Sequence, residues 1–299
     1  MNKKAFFLAL LTVIIWASSF AGVRASLQGG YTSGHLVLVR FLIASSVFIL
    51  YSLLPGVHFR LPKKKDLFRI ILLGLLGITV YHVGITFGME TVKAGTASII
   101  VGSAPIFTAI IAVFILKERL HLFSWIGLGI GFIGIILVTL GSGDASFAIS
   151  EGALYILIAA IASSMFFVFQ KPLYKRYNPI ELTAYFTWAG TLPMLIFLPG
   201  LFANLQETTL QADLAAIFVG VFPAALGYAT WAIALSLGNT SSVTSMLYIE
   251  PAIAIIIAWL WLNEWPSSIS LIGGAVAISN VVIINLMGRK QQEREEKLI

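Results

Sequence analysis

Ala104-Pro105-Ile106-Phe107 followed by Leu116-Lys117-Glu118-Arg119-Leu120, and Glu250-Pro251 followed by Leu262-Asn263-Glu264, each set a proline inside an apolar run and a glutamate at its end, 146 residues apart. The same offset lays Gly74 on Gly220 and Gly127 on Gly273. An offset one residue shorter lays Ala17-Ser18-Ser19 on Ala162-Ser163-Ser164 and Phe41 on Phe186. Proline, glutamate and glycine recurring in order read as an internal duplication rather than as chance similarity of apolar helices.

Outward from these blocks, apolar runs near twenty residues long fill the chain, at roughly 5–24, 34–54, 67–88, 95–116, 122–141, 152–171, 180–199, 213–236, 241–262 and 268–287. Each is long enough to cross about 30 Å of hydrocarbon as a helix. Five spans per copy force the second copy to insert upside down, the arrangement in which two bundles rock about a site near the midplane. The expected fold is therefore all-α integral membrane: ten transmembrane helices in two inverted five-helix repeats, residues 1–145 and 146–288. A charged tail, 289–299, comes after them.

Composition agrees. Of 299 residues 59% are hydrophobic and 11% charged, against about a quarter charged in soluble domains. The turn-rich alternation of an outer-membrane barrel is absent. Without cysteine there is no disulfide framework, thiolate metal site or thiol nucleophile. The net charge of +6 does not point to nucleic acid, because sixteen of the nineteen basic residues fall in stretches that alternate spans place on one side. Arg24, Lys93 and Arg40 are the exceptions. The positive-inside bias orients both termini to the cytoplasm and the chain to the inner membrane, with the lipid bilayer as its surroundings. Met1–Ala25 also reads as a signal peptide, but its counterpart later in the chain favours a first span.

The blocks Trp16-Ala17-Ser18-Ser19-Phe20, Arg40-Phe41, Ala104-Pro105-Ile106-Phe107 with Leu116-Lys117-Glu118-Arg119-Leu120, and Glu250-Pro251 with Leu262-Asn263-Glu264 resemble those of the drug/metabolite transporter superfamily, more narrowly its EamA family, along essentially the whole chain. The resemblance implies a ten-helix exporter of amino acids, related metabolites or drugs with a central cavity. Asn263-Glu264-Trp265-Pro266 departs from the first copy in lacking a basic residue after the glutamate, as suits the opposite membrane face.

Ionisable groups inside a span face a cavity or a partner. Glu250 falls near mid-depth, either as a proton carrier or amine ligand or as a structural carboxyl bonded to backbone freed by Pro251. Arg40 offers a two-pronged hydrogen bond to a substrate carboxylate, against the alternative of reaching for the interface. His82, at similar depth, is a hydrogen-bond donor, a second proton carrier or a packing residue. Ser19 and Ser164, with Trp16, sit at repeat-matched depths, where small hydroxyls equally serve helix packing. Tyr81, Trp188, Tyr228 and Tyr248 complete a candidate aromatic wall, although such residues also populate interfacial belts. Pro105 and Pro251 are matched interruptions and so candidate hinges.

Gly129-Ile130-Gly131-Phe132-Ile133-Gly134 matches the dinucleotide-binding spacing, but no strand precedes it. It reads as a helix-packing face, making the fifth and tenth spans candidate scaffold or homodimer helices. No cofactor or metal is expected, since His35, His58, His82 and His121 are scattered, and no phosphate-binding loop supports direct ATP drive.

The expected function is secondary transport of small amphipathic metabolites, best amino acids with bulky or aromatic side chains, exported by alternating access. A drug or metabolite exporter or importer of the same fold is the alternative. A membrane enzyme on lipid-linked substrates would need clustered catalytic groups that the chain does not offer, and a receptor or assembly factor has no feature of its own in favour.

Overall fold

The computed structural model describes residues 3–104, 150–237 and 245–276, together with 107, 110, 111, 129–131, 133, 134, 136–138, 140 and 279. Pro105, most of the fifth span, the later parts of the fourth and tenth, the start of the ninth, Phe132 of the glycine run and the tail 289–299 lie outside the described residues.

Helices begin where the sequence supplies a cap. α1 runs over Lys3–Gln28 and α2 over Ser33–Ser52. The Thr32 hydroxyl accepts the His35 N–H at the head of α2, one of the orphan donors every helix start leaves. The third span is continuous from Lys64 to Gly88: α3 (Lys64–Gly74), a π-helical turn (Leu75–Val80) and α4 (Tyr81–Gly88). α5 covers Ala94–Val101. α6 (Glu151–Gln170) ends in a 3₁₀ turn, and α7 (Pro179–Met194) starts on an Asn178 cap with proline in its first turn. Short α8 (Leu201–Glu207) leads to α9 (Leu210–Val221), a second π-helical turn (Phe222–Gly227) and α10 (Tyr228–Leu237). A 3₁₀ turn over Ser245–Ile249 opens α11 (Glu250–Leu262), and residues 268–276 are again helical.

Among the described residues there is no strand, and six helical stretches are long and apolar enough to cross a bilayer: Lys3–Gln28, Ser33–Ser52, Lys64–Gly88, Glu151–Lys175, Pro179–Phe197 and Leu210–Ala234. The protein is a multi-pass membrane protein. Leu50, Phe68, Ile196, Phe202 and Leu260 stand exposed on its outside, which is stable only where lipid replaces water.

α1 lies against α9, α10 and α11, while α6 lies against α4 and α5; α2 packs on α9 and α7 on α3. Glycines set these approaches. A Cβ on Gly74 would come within 2.8 Å of the Phe186 carbonyl in α7, and one on Gly220 within 2.9 Å of Ile43 in α2. Between apolar helices in lipid, such close backbone contact provides the dispersion that a hydrophobic driving force cannot. Among the described residues Phe41 and Phe186 are the largest fully buried side chains.

Each end of the bundle is closed by polar ties. At the basic end Arg176 meets Asp66 at 2.5 Å, Tyr177 donates to the same carboxylate, and Glu181 accepts the Arg60 N–H. At the other end Tyr31 donates to Asp213 at 2.9 Å. Burial, with that carboxylate adding to it, holds the Tyr31 hydroxyl protonated above the ordinary phenol range.

Candidate functional site

α1, α2, α4, α5, α6, α10 and the head of α11 surround a cavity holding about 900 Å³ of empty space, its open part included. α1 contributes Trp16, Ser19, Phe20 and Val23, one stripe at helical spacing.

Arg40 is the unusual member. Its side chain is 3% exposed, and one terminal nitrogen, Nη2, donates to Ser19 Oγ at 2.9 Å. Nε and Nη1 are buried with no partner. No carboxylate pairs with it among the described residues, whose ion pairs are Arg24–Glu264 and Asp66–Arg176. Burying an ion costs several kcal/mol unless an opposite charge and hydrogen bonds compensate. Two unused guanidinium donors on a cavity wall have the chemistry to hold an anion by a two-pronged hydrogen bond.

Around it stand polar groups on apolar backing. His82 Nε2 is 3.2 Å from the Tyr228 hydroxyl, and His82 Nδ1 is buried without a partner. The imidazole is wedged between Phe41 and Tyr81, with ring centres 4.5 and 4.6 Å away. Trp16 donates its indole N–H to the Pro223 carbonyl at 3.2 Å and packs 5.2 Å from both Tyr228 and Trp231. Glu250, the first residue of α11, lines the same cavity and makes no hydrogen bond or ion pair among the described residues.

The two π-helical turns position this set. Each interrupts a third span one or two residues after a matched glycine, Gly74 or Gly220. Each is succeeded at once by a cavity tyrosine, Tyr81 or Tyr228. A π turn inserts extra backbone and rotates the helix beyond it, and such turns recur at functional sites. Here it aims Tyr81, His82 and Tyr228 inward and brings Gly77 and Pro223 to the wall.

Of the residues singled out from sequence, Trp16, Ser19, Arg40, Tyr81, His82, Tyr228 and Glu250 line this one cavity. Ser164 does not: it is wholly buried and donates to the Ala160 and Ala104 carbonyls at 2.8 Å, while its neighbour Ser163 takes the wall. Trp188 does not either. Its indole N–H donates to the Ser45 carbonyl and its ring packs with Phe59 and Tyr185, away from the lining. Pro251 sits in the first turn of α11 beside Gly102, whose added Cβ would meet its Cγ at 2.8 Å. The side chain of Tyr248 is outside the described residues, as is Pro105. The sequence reading missed Phe20, Val23, Gly77, Ile85, Val101, Gly102, Phe166, Phe167 and Leu247 on the wall. For Phe20 and Val23 the signal was the stripe begun by Trp16 and Ser19.

Comparison with known proteins supplies the family. The EamA-like transporter family matches residues 3–140 and again 150–286. The uncharacterized transporter YdfC of Bacillus subtilis is 40% identical over 95% of this chain and 91% of its own length. A probable terminal-alkyne amino-acid exporter of Streptantibioticus cattleyicolor is 33% identical over 97% of both. A crystal structure at 18% identity superposes with a TM-score of 0.66 over 97% of this chain and 99% of that one, which shows a shared fold. The chain belongs to the EamA-like transporter family.

Proposed function

We propose that this transporter exports small amphipathic metabolites, best amino acids with bulky or aromatic side chains, across the inner membrane by alternating access around the cavity. The observation that carries the reading is Arg40, buried, cationic and holding two unpartnered donors on a wall that also carries Glu250. A substrate carboxylate on Arg40, its ammonium toward Glu250 and its side chain among Trp16, Phe20, Tyr81 and Phe166 would satisfy each part of the wall. The relative from Streptantibioticus cattleyicolor, described as a probable amino-acid exporter, adds support.

Ten spans in two inverted halves, 1–145 and 146–288, are part of the same reading. The family's double match supports it, as does the reciprocal packing in which α1 meets the third and fourth spans of the second half and α6 those of the first. The basic bias puts the Lys3 end in the cytoplasm. Glu250, with His82 beside Arg40, is the proposed proton-coupling group, and Pro105 and Pro251 the proposed hinges.

Counterflow in proteoliposomes, with labelled amino acids and with or without a pH gradient, tests the proposal. Saturable exchange of large apolar amino acids is expected, faster under the gradient. No exchange of any amino acid by folded protein would refute the substrate reading and turn the search to cationic drugs and sugars.

A further inference from the structure

Arg24 stands in the last turns of α1, one residue beyond the cavity-lining Val23. Its Nε donates to Glu264 Oε1 at 3.0 Å, and its Nη1 to the carbonyls of Met89 at 2.6 Å and Glu90 at 2.8 Å. Glu264 is aimed by the backbone: Asn263 closes α11 in the left-handed region at φ 54°, and the N–H groups of Asn263 and Glu264 turn back onto the Trp259 and Ala258 carbonyls. This pair of bonds fixes a helix end. The carboxylate also accepts Gln28 Nε2 at 3.0 Å, and its second oxygen accepts the Ala94 N–H at the head of α5. One arginine and one glutamate thus tie together the end of α1, the turn between α4 and α5, and the end of α11.

α1 and α4 line the cavity one residue and about one turn away, at Val23 and Ile85, and α5 about two turns away, at Val101, while α11 reaches it at its far end, at Glu250. The two side chains are 17% and 12% exposed, so water screens them less than a surface pair, whose contribution is small. Under the offset that lays Ala17-Ser18-Ser19 on Ala162-Ser163-Ser164, Arg24 falls on Phe169. The arginine is not repeated in the second half.

We propose that the Arg24–Glu264 clasp is the outer gate of the transport cavity: it holds the outer end shut and must break each time the cavity opens to the outside. This rests on reading the cavity as the transport site and the basic end as cytoplasmic. Because the arginine belongs to the first half alone, weakening the clasp shifts the protein toward the outward-open form.

The chain contains no cysteine, so Val23→Cys gives a single reporter thiol just beneath the clasp. In right-side-out vesicles, a membrane-impermeant maleimide added outside labels it slowly while the clasp holds. Adding Arg24→Gln or Glu264→Gln is expected to speed labelling about tenfold, equivalent to about 1.4 kcal/mol in the opening equilibrium. Arg24→Lys should fall between, since an ammonium pairs with Glu264 but lacks the planar fork that also reaches the carbonyls. Unchanged labelling in both glutamine variants, from protein that is monodisperse and melts as the parent does, overturns the gate. Should Arg24→Gln fail to fold, Glu264→Gln decides the matter alone. Labelling needs no substrate, so accelerated labelling without exchange of any amino acid upholds the gate and removes the substrate reading instead.

Discussion

Replacing Arg40 by methionine separates a ligand-binding arginine from a structural one. The guanidinium is 3% exposed and uses one hydrogen bond, to Ser19, leaving Nε and Nη1 unpartnered. In the empty protein a neutral side chain of similar volume removes an uncompensated buried charge, so stability should hold or rise. In the loaded protein it removes two charge-assisted donors. At about 1.5–3 kcal/mol each, reduced by the burial cost now relieved, a net loss of about 2.7 kcal/mol is a fair expectation, or roughly a hundredfold in Kd. At a ligand concentration of a hundred times the parent Kd, binding stabilises the parent by about 2.7 kcal/mol and the variant by about 0.4 kcal/mol. The assay is thermal unfolding of purified protein in detergent, with and without the amino acid identified by counterflow. The corresponding amine without its carboxyl group is the control. An Arg40→Met protein that melts lower when empty, or that keeps the full ligand-induced shift, would refute the assignment.

Three further perturbations probe the same wall and the packing behind it. Glu250→Gln keeps shape but removes both the proton site and the charge facing the substrate ammonium, so counterflow should weaken and its acceleration by a pH gradient disappear; retained acceleration would transfer the coupling role elsewhere. Gly77→Ala places a Cβ 2.4 Å from the Phe166 ring, turning that ring at the cavity wall. Uptake of the largest substrates into reconstituted vesicles should then fall more than that of alanine-sized ones, and a uniform change would argue against Phe166 shaping the site. Gly74→Val sets a side chain 2.8 Å from the Phe186 carbonyl and should destabilise the fold by about 1–3 kcal/mol, seen as a lower melting temperature; an unchanged melt would remove the α3–α7 contact from the account of stability.

How much of this was legible in the sequence depended on residue chemistry. Arg40, His82 and Glu250 stood out because an ionisable group in an apolar run has to face inward. Phe166 and Leu247 carry no such signal: on an apolar helix a wall residue and a lipid-facing one look alike until the helix is rotated into place. Ser163 and Ser164 differ by about 100° around the axis, and that rotation puts Ser163 on the cavity wall and sends the Ser164 hydroxyl to the Ala104 carbonyl. Trp188 looked like its cavity neighbours in composition, yet the Ser45 carbonyl fixes it elsewhere. Of the π turns, the sequence shows only Gly74, Gly220 and Pro223, none of which specifies an added backbone residue.

Arg24 and Arg40 were both read as basic residues off the cytoplasmic side, and their surroundings part them. Arg24 has a carboxylate and two backbone carbonyls already in place, with 17% of its side chain still exposed. Such a group is largely satisfied in the structure as it stands, as the proposed gate requires of a contact that holds segments together. Arg40 is more deeply buried and less bonded. In a low-dielectric interior that imbalance is unfavourable for the empty state, and a group arriving with negative charge would relieve it. The protein therefore keeps a well-paired cation at the end of the bundle and an under-paired one in the cavity, the order that the proposed carrier needs if a substrate is to bind the second and the passage is to be opened at the first.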